Sequence, residues 1–220
     1  MARSPFKNTR VVFLVWGVAL AVLLLAGIAA NVALAQYVRH VRESDPRTYL
    51  QEAQRLLDRN DFAGVAAQID IALQKAPDNP EPYRLRGLML FRLKHWQEAY
   101  DCFQQAIQRG SRVEDLYLKA LNSLMQMKRR EEAIAFGKWC LDQGYKHWTF
   151  HLYMGQTYQA LGKYPEAIAC YERALEIHPN ELFLMEHLAQ AYRNIGNTEK
   201  AEAMDRRMAE TQALQERLAQ

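Results

Sequence analysis

Two histidines four apart, His147 and His151, are the side chains whose type and spacing come nearest to a metal site in this 220-residue chain. On one helix such a pair presents two imidazoles to a single ion, and a zinc hydrolase helix adds a carboxylate between them. Here no carboxylate intervenes, and His147 falls in a connection while His151 lies on a helix. No metal site is therefore expected. His178, in Glu176-Ile177-His178-Pro179-Asn180, sits at a closing turn. Cys102, Cys140 and Cys170 are three thiols, too few for a complete disulfide framework. They read as small, partly buried hydrophobes, and their presence leans towards a reducing compartment. No glycine-rich phosphate loop, Gly-x-Ser-x-Gly elbow or Cys-x-x-Cys occurs, so no enzyme activity and no cofactor are expected. The whole formal charge of +3 resides in the N-terminal tail, where Arg3, Lys7 and Arg10 have no acidic counterparts; the remainder is balanced. Lys128-Arg129-Arg130 is followed directly by Glu131-Glu132, a solvated charge cluster and not the basic stripe that nucleic acid requires.

The chain repeats itself every 34 residues when cut at Pro46, Pro80, Glu114, Trp148 and Leu182. A small slot early in each unit reads Ala53, Gly87, Leu121, Gly155 and Ala189, and an alanine slot reads Val65, Ala99, Ala133, Ala167 and Ala201. A 34-residue period of helix-turn-helix units predicts a solenoid, in which each unit buries its apolar face only against its neighbours. Glycine or alanine at a helix crossing lets two backbones approach, and the turn aromatics Phe62, Trp96 and Tyr164 are expected to fill the gap beside them. Gly162 and Gly196 suit left-handed helix ends, and Pro77 and Pro179 stop second helices. Paired helices are expected from about Arg47 onward.

Residues Met154-Gly155, Tyr158, Leu161-Gly162-Lys163-Tyr164, Glu166-Ala167-Ile168, Cys170-Tyr171, Ala174-Leu175 and Pro179 resemble the tetratricopeptide repeat (TPR) at nearly every diagnostic slot. The first unit (Asn60-Asp61-Phe62, Ala72, Pro77), the second (Gly87, Trp96, Glu98-Ala99, Phe103, Ala106) and the fifth (Ala189, Tyr192, Gly196-Asn197, Ala201) are similar to it as well. The third departs: Leu121 stands where a small residue is usual, Gly137 where a bulky one is usual, and no proline closes it. Wider helix spacing is expected there. The resemblance implies an all-α fold, a right-handed TPR-like superhelix of about five helix-turn-helix repeats. The units are 46–79, 80–113, 114–147, 148–181 and 182–215, with the first helix of the last ending near 197. A terminal helix over 198–220 is expected to cap the last repeat, or else to pack into the groove or on another subunit.

Val11 to Ala30 is an unbroken run of twenty apolar or glycine residues, followed after Asn31 by Val32 to Ala35. About 20 residues cross a bilayer as a helix. We read 11–35 as a transmembrane anchor behind a basic tail, 1–10, with 36–45 as linker. The competing reading is a cleaved signal peptide, with Ala33-Leu34-Ala35 as a small-x-small site; signal cores span only about 7 to 15 residues, which argues against it. Arg39, Arg42 and Arg47 balance the basic leader, so orientation rests on the leader acting as an export signal. The expectation is a single-pass inner-membrane protein with its repeats on the periplasmic side, the cytoplasmic side being the alternative. Gly17 with Ala21 and Ala26 with Ala30 offer a face for homo-oligomer formation.

In the resembled family the first helix of each pair lines a concave face that holds peptides. Carried onto this sequence, that groove comprises Arg84, Leu88, Phe91 and Arg92; Leu118, Asn122, Met125 and Gln126; Leu152, Gln156 and Gln159; and Glu186, Gln190 and Arg193. An apolar floor and an amide-rich wall suit a protein or peptide partner. The charged clamp with which some TPR domains hold a chaperone tail is not matched, because Leu88, Tyr153, Phe183 and His187 occupy its slots. The expected function is a membrane-anchored scaffold that gathers partners into a complex; the alternative is an assembly factor for one secreted or membrane client.

Overall fold

In the computed structural model, residues 31–37 and 45–218 are described. The apolar run Val11–Ala30 and the basic residues Arg3, Lys7, Arg10, Arg39 and Arg42 lie outside them, and so do most of the anchor and linker read from the sequence. Residues 31–37 are helical and exposed. No helix among the described residues is long and apolar enough to cross a membrane.

From Pro46 the chain forms α1 (Pro46–Asp58), α2 (Phe62–Lys75), α3 (Pro80–Arg92), α4 (Trp96–Gln108) and α5 (Glu114–Gln126). It continues as α6 (Arg130–Asp142), α7 (Trp148–Ala160), α8 (Tyr164–Ile177), α9 (Leu182–Asn194) and α10 (Thr198–Leu218). No strand occurs among the described residues. The odd-numbered helices start 34 residues apart, and each is followed by its partner after a turn of three residues. Every one of those turns is built alike. Asn60, Lys94, Lys128, Gly162 and Gly196 all have φ between 59° and 75°. The next residue donates its N–H to the carbonyl five residues back, as His95 does to Leu90 at 2.9 Å and Lys163 to Tyr158 at 2.9 Å. This left-handed ending satisfies helix carbonyls that would otherwise lack partners.

Glycine adopts that conformation freely, whereas an L side chain meets its own carbonyl at a cost of about 1–2 kcal/mol. Lys94→Gly and Lys128→Gly should each therefore raise stability by roughly 0.5–1 kcal/mol, after the extra chain entropy of glycine is subtracted. A higher urea midpoint with unchanged slope is the expected result. The second helices end in two ways. Gly110 and Gly144 repeat the left-handed ending at φ 86° and 90°. After α2 and α8 the chain instead meets Pro77 and Pro179, which have no N–H to give.

The alanine slots are sealed: Val65, Ala99, Ala133, Ala167 and Ala201 are all 2% exposed or less. Close packing at the small slots comes from the second helix, not from the turn aromatics as expected. A Cβ on Gly87 would lie 2.5 Å from the Phe103 ring, and one on Gly155 2.6 Å from the Tyr171 ring. Phe62, Trp96 and Tyr164 are only partly buried at their turns. The register pairs Ala53 with Ile69, Gly87 with Phe103 and Gly155 with Tyr171, a small residue facing a large one. In the third repeat the sizes are exchanged, Leu121 standing opposite Gly137. A Cβ on Gly137 would sit 2.8 Å from the side chain of Met154 in the next repeat and 3.5 Å from Leu121. Correspondingly, α5 and α6 approach each other least closely of the five pairs, the wider spacing expected there.

The stack is finished by composition. Ile168, Tyr171 and Leu175 are core residues of α8, and the same register on α10 holds Glu202, Asp205 and Ala209, none of them buried. α10 is 21 residues long and packs on α9 rather than into the groove. Arg207 donates to the Pro179 carbonyl at 2.8 Å and Gln215 to that of Asn180 at 3.4 Å, which fixes its course.

Candidate functional site

First helices of neighbouring repeats touch along α1–α3, α3–α5 and α5–α7, while neighbouring second helices approach less closely, as where Tyr100 of α4 meets Phe136 of α6 edge-on. The side carrying the first helices is thus the inner side of the curve. Between α7 and α9 the approach is looser, carried by the Gln156–His187 pair and the core around Leu152, and a cavity of about 360 Å³ opens beside it.

The expected groove residues divide by chemistry. The apolar ones and the arginines of the second repeat serve the protein itself. Arg84 pairs with Glu81 and reaches Gln54 at 3.4 Å, leaving its side chain 15% exposed. Phe91 stands edge-on to Trp96 with ring centroids 5.1 Å apart and also meets Phe103. Arg92 donates to Asn60 at 3.1 Å and to the Leu57 carbonyl, tying the second repeat to the first. Leu88, Leu118 and Met125 are half-buried against the apolar clusters. Leu152 is not on the groove floor: it is 5% exposed and belongs to the core between the last two repeats.

The polar residues from the third repeat onward are different. Asn122 and Gln156 are half-buried, and Gln126, Glu186, Gln190 and Arg193 are exposed. Arg193 pairs with Asp205 on α10. Gln126 bonds Asn122, and Gln190 bonds Asn194, each at 3.3 Å. The open cavity is lined by Gln156, Gln159, Ala160, Tyr164, His187 and Asn194. Of these, Ala160, Tyr164, His187 and Asn194 were not among the expected site residues. Asn194 lies one helical turn past Gln190 and was within reach of the same periodicity; Tyr164 belongs to a second helix and carried no such signal.

His187 lies against the face of Tyr171, with centroids 5.5 Å apart, and edge-on to Phe183 at 4.2 Å. Its Nε2 is 3.2 Å from the Gln156 amide nitrogen, so Nε2 accepts and the ring proton sits on Nδ1. Burial lowers the pKa of His187, against a small opposing pull from Glu186. Burial also lowers His151, helped by Arg173 and opposed by Glu176. A histidine whose folded pKa lies below its unfolded value of about 6.5 stabilises the fold fully above that pH. The stabilisation is lost as the pH falls through about 6.5 towards the folded value. The urea midpoint should therefore drop between pH 7.5 and 5.5, and His151→Gln with His187→Gln should flatten that drop.

No other chemistry gathers. His147 caps α7 by accepting from the Thr149 N–H at 3.3 Å, and no cluster of potential metal ligands exists among the described residues. The three cysteines are free; burial pushes the Cys140 thiol up to about 12 and the Cys170 thiol to about 11, so both stay protonated and unreactive. On the outer side a cavity of about 520 Å³ lies among α8, α9 and α10, and the Tyr192 hydroxyl of α9 donates there to Glu172 of α8 at 2.5 Å.

Serial helical hairpins with their first helices inward make a TPR-like solenoid. Sequence profiles described as tetratricopeptide repeat match residues 149–181, 170–203 and 80–110, so the chain carries TPR units. Among solved structures, MamA of Desulfovibrio magneticus RS-1 (residues 41 to the end) is similar, with a TM-score of 0.71 at 16% identity, covering 77% of this chain and 96% of that one. Another MamA structure gives 0.70 at 16% identity, over 76% of this chain and 92% of that one. YrrB, described as "a TPR protein with an unusual peptide-binding site", gives 0.67 at 20% identity, over 82% and 93%. No curated protein sequence matches the chain.

Proposed function

We propose that this protein is a membrane-anchored TPR scaffold that captures protein partners on the inner face of its C-terminal repeats and assembles them into a membrane-associated complex. The observation that carries the reading is the row of Asn122, Gln126, Gln156, Gln190 and Asn194, amides on inner helices of which Gln156 alone bonds to the next repeat, through His187. Amides both donate and accept, which suits a peptide backbone. The likeness to YrrB, itself described as having a peptide-binding site, is in keeping with this use of the fold. The anchor rests on the twenty-residue apolar run and its basic leader. It would raise the effective concentration of the groove at the bilayer. The repeats then lie on the extracytoplasmic side, and modification of an engineered surface cysteine by an impermeant reagent in intact cells is the expected outcome.

The closing experiment is photo-crosslinking from Gln190 in native membranes followed by mass spectrometry. Several subunits of one stable complex are expected. A single immature client would establish the alternative, an assembly factor, and crosslinks from an outer-face position but none from Gln190 would overturn the groove. Phe91→Glu is unsuitable as a control for capture, because Phe91 packs against Trp96 and Phe103. Asn122→Arg with Gln126→Arg should reduce crosslinking from Gln190 at least tenfold with an unchanged thermal midpoint.

A further inference from the structure

A third cavity, of about 220 Å³, lies on the side of the second helices, between α4 and α6, where the loops 109–113 and 143–147 run. Its walls are aromatic. The rings of Trp139 and Tyr145 lie 6.1 and 4.4 Å from that of the buried Tyr117, inclined to it by 31° and 37°. Trp139 is also stacked on Phe136, yet 40% of it stays exposed. Ring contacts hold it, and no hydrogen bond to its indole N–H occurs among the described residues. The repeat itself does not ask for these rings. In the register of Trp139 the neighbouring repeats carry Gln105 and Arg173, and in that of Tyr145 they carry Ser111 and Pro179. Arg112 is the one charged residue lining the cavity; it is exposed and belongs to no ion pair among the described residues. Its charge is felt inside: burial raises the pKa of the Tyr117 hydroxyl, and Arg112 opposes the rise.

We propose that this cavity docks an extended, proline-rich segment of a protein partner, with an acidic side chain of that segment set against Arg112. A polyproline II segment makes no internal hydrogen bonds, so its carbonyls are free to accept from the Trp139 indole and the Gln143 amide while its rings lie on aromatic faces. It is stiff before it binds, so docking costs little further ordering. An amphipathic helix needs a groove several turns long, whereas this cavity has room for only a few side chains. A cation, which aromatic faces attract elsewhere, is opposed here by Arg112. The site shares no residue with the inner groove, and it gives the scaffold a second address on its other side.

The test titrates the full-length chain in detergent micelles with N-acetyl-aspartyl-tetraproline amide, with its tetra-alanine counterpart and with its lysyl counterpart, following by NMR the indole N–H resonance that Trp139→Phe removes. The aspartyl-tetraproline peptide should shift that resonance, with the tetra-alanine peptide roughly tenfold weaker and the lysyl peptide roughly fivefold weaker at low salt. Added salt should erase the preference for aspartate and keep the preference for proline. Arg112→Glu, at an exposed position, should reverse the order of the aspartyl and lysyl peptides with an unchanged thermal midpoint. Equal binding of the proline and alanine peptides, an unmoved Trp139 resonance, or an order of charges that Arg112→Glu leaves as it was would overturn the assignment. Broadening of the resonance with protein concentration in the absence of peptide would place a second copy on this face and overturn it too. None of these results touches the inner groove, which crosslinking from Gln190 tests by itself.

Discussion

Gly155→Leu should lower the stability of the repeats by about 3 kcal/mol, at the upper end of what overpacking a core costs. The reason is local and geometric. The first atom of any side chain at 155 would lie 2.6 Å from the Tyr171 ring, and that ring is fully buried and held by its hydroxyl bond to Gln159. It has nowhere to turn without opening the fourth repeat. Gly155→Ala already places that atom and should show part of the loss, while a surface glycine such as Gly110 faces open space. A fall in the thermal midpoint of roughly 6–12 °C is the measurement, using about 2–4 °C per kcal/mol for a domain of this size. A midpoint unchanged in Gly155→Leu would mean that the two helices do not cross there.

The second large effect concerns the reversed pair of the third repeat. Leu121→Gly removes a fully buried leucine and adds a helix-interior glycine, so a loss of about 3–5 kcal/mol is expected. Gly137→Phe drives a ring into Met154 and Leu121, with a loss of about 3 kcal/mol. Combined, the two restore the arrangement of the second repeat, in which Gly87 receives Phe103. The double variant should therefore be more stable than the sum of the single losses by at least about 1.5 kcal/mol, the coupling expected of residues that share one space. Additive losses in a double-mutant cycle would show that the residues do not compensate each other. The coupling stays incomplete because Met154 still occupies part of the gap.

Much of this architecture could be read from residues at fixed spacing. The alanine slots announced the helix crossings, and the exchange of Leu121 with Gly137 announced the wider third repeat. Gly162 and Gly196 marked left-handed turns, yet Lys94 and Lys128 adopt the same conformation and their residue type gives no sign of it. At those two positions the helices on either side impose the turn and the lysines comply. The site was less legible for a related reason. Periodicity places Leu118 and Leu152 in one register, but only the approach of the next helix decides that Leu152 is sealed while Leu118 stays half-open. Arg84 and Arg92 similarly looked like groove cations until Glu81, Gln54 and the end of α1 were found to hold them. The cavity at His187 and Asn194 arises from a gap between α7 and α9, and a gap is a property of two units together, which no single unit spells out.

The exchanged sizes in the third hairpin also decide how freely such a protein could gain or shed units. Hairpins of equal length invite shuffling, since cutting out 34 residues preserves phase. Here, removing 114–147 would bring Met154 opposite Phe103, where the native neighbour in that register is the small Ala120, and two bulky groups would contend for one space. The third hairpin and its successor are therefore a matched set, and a shortened or rearranged lineage of this chain would have to alter both or keep both.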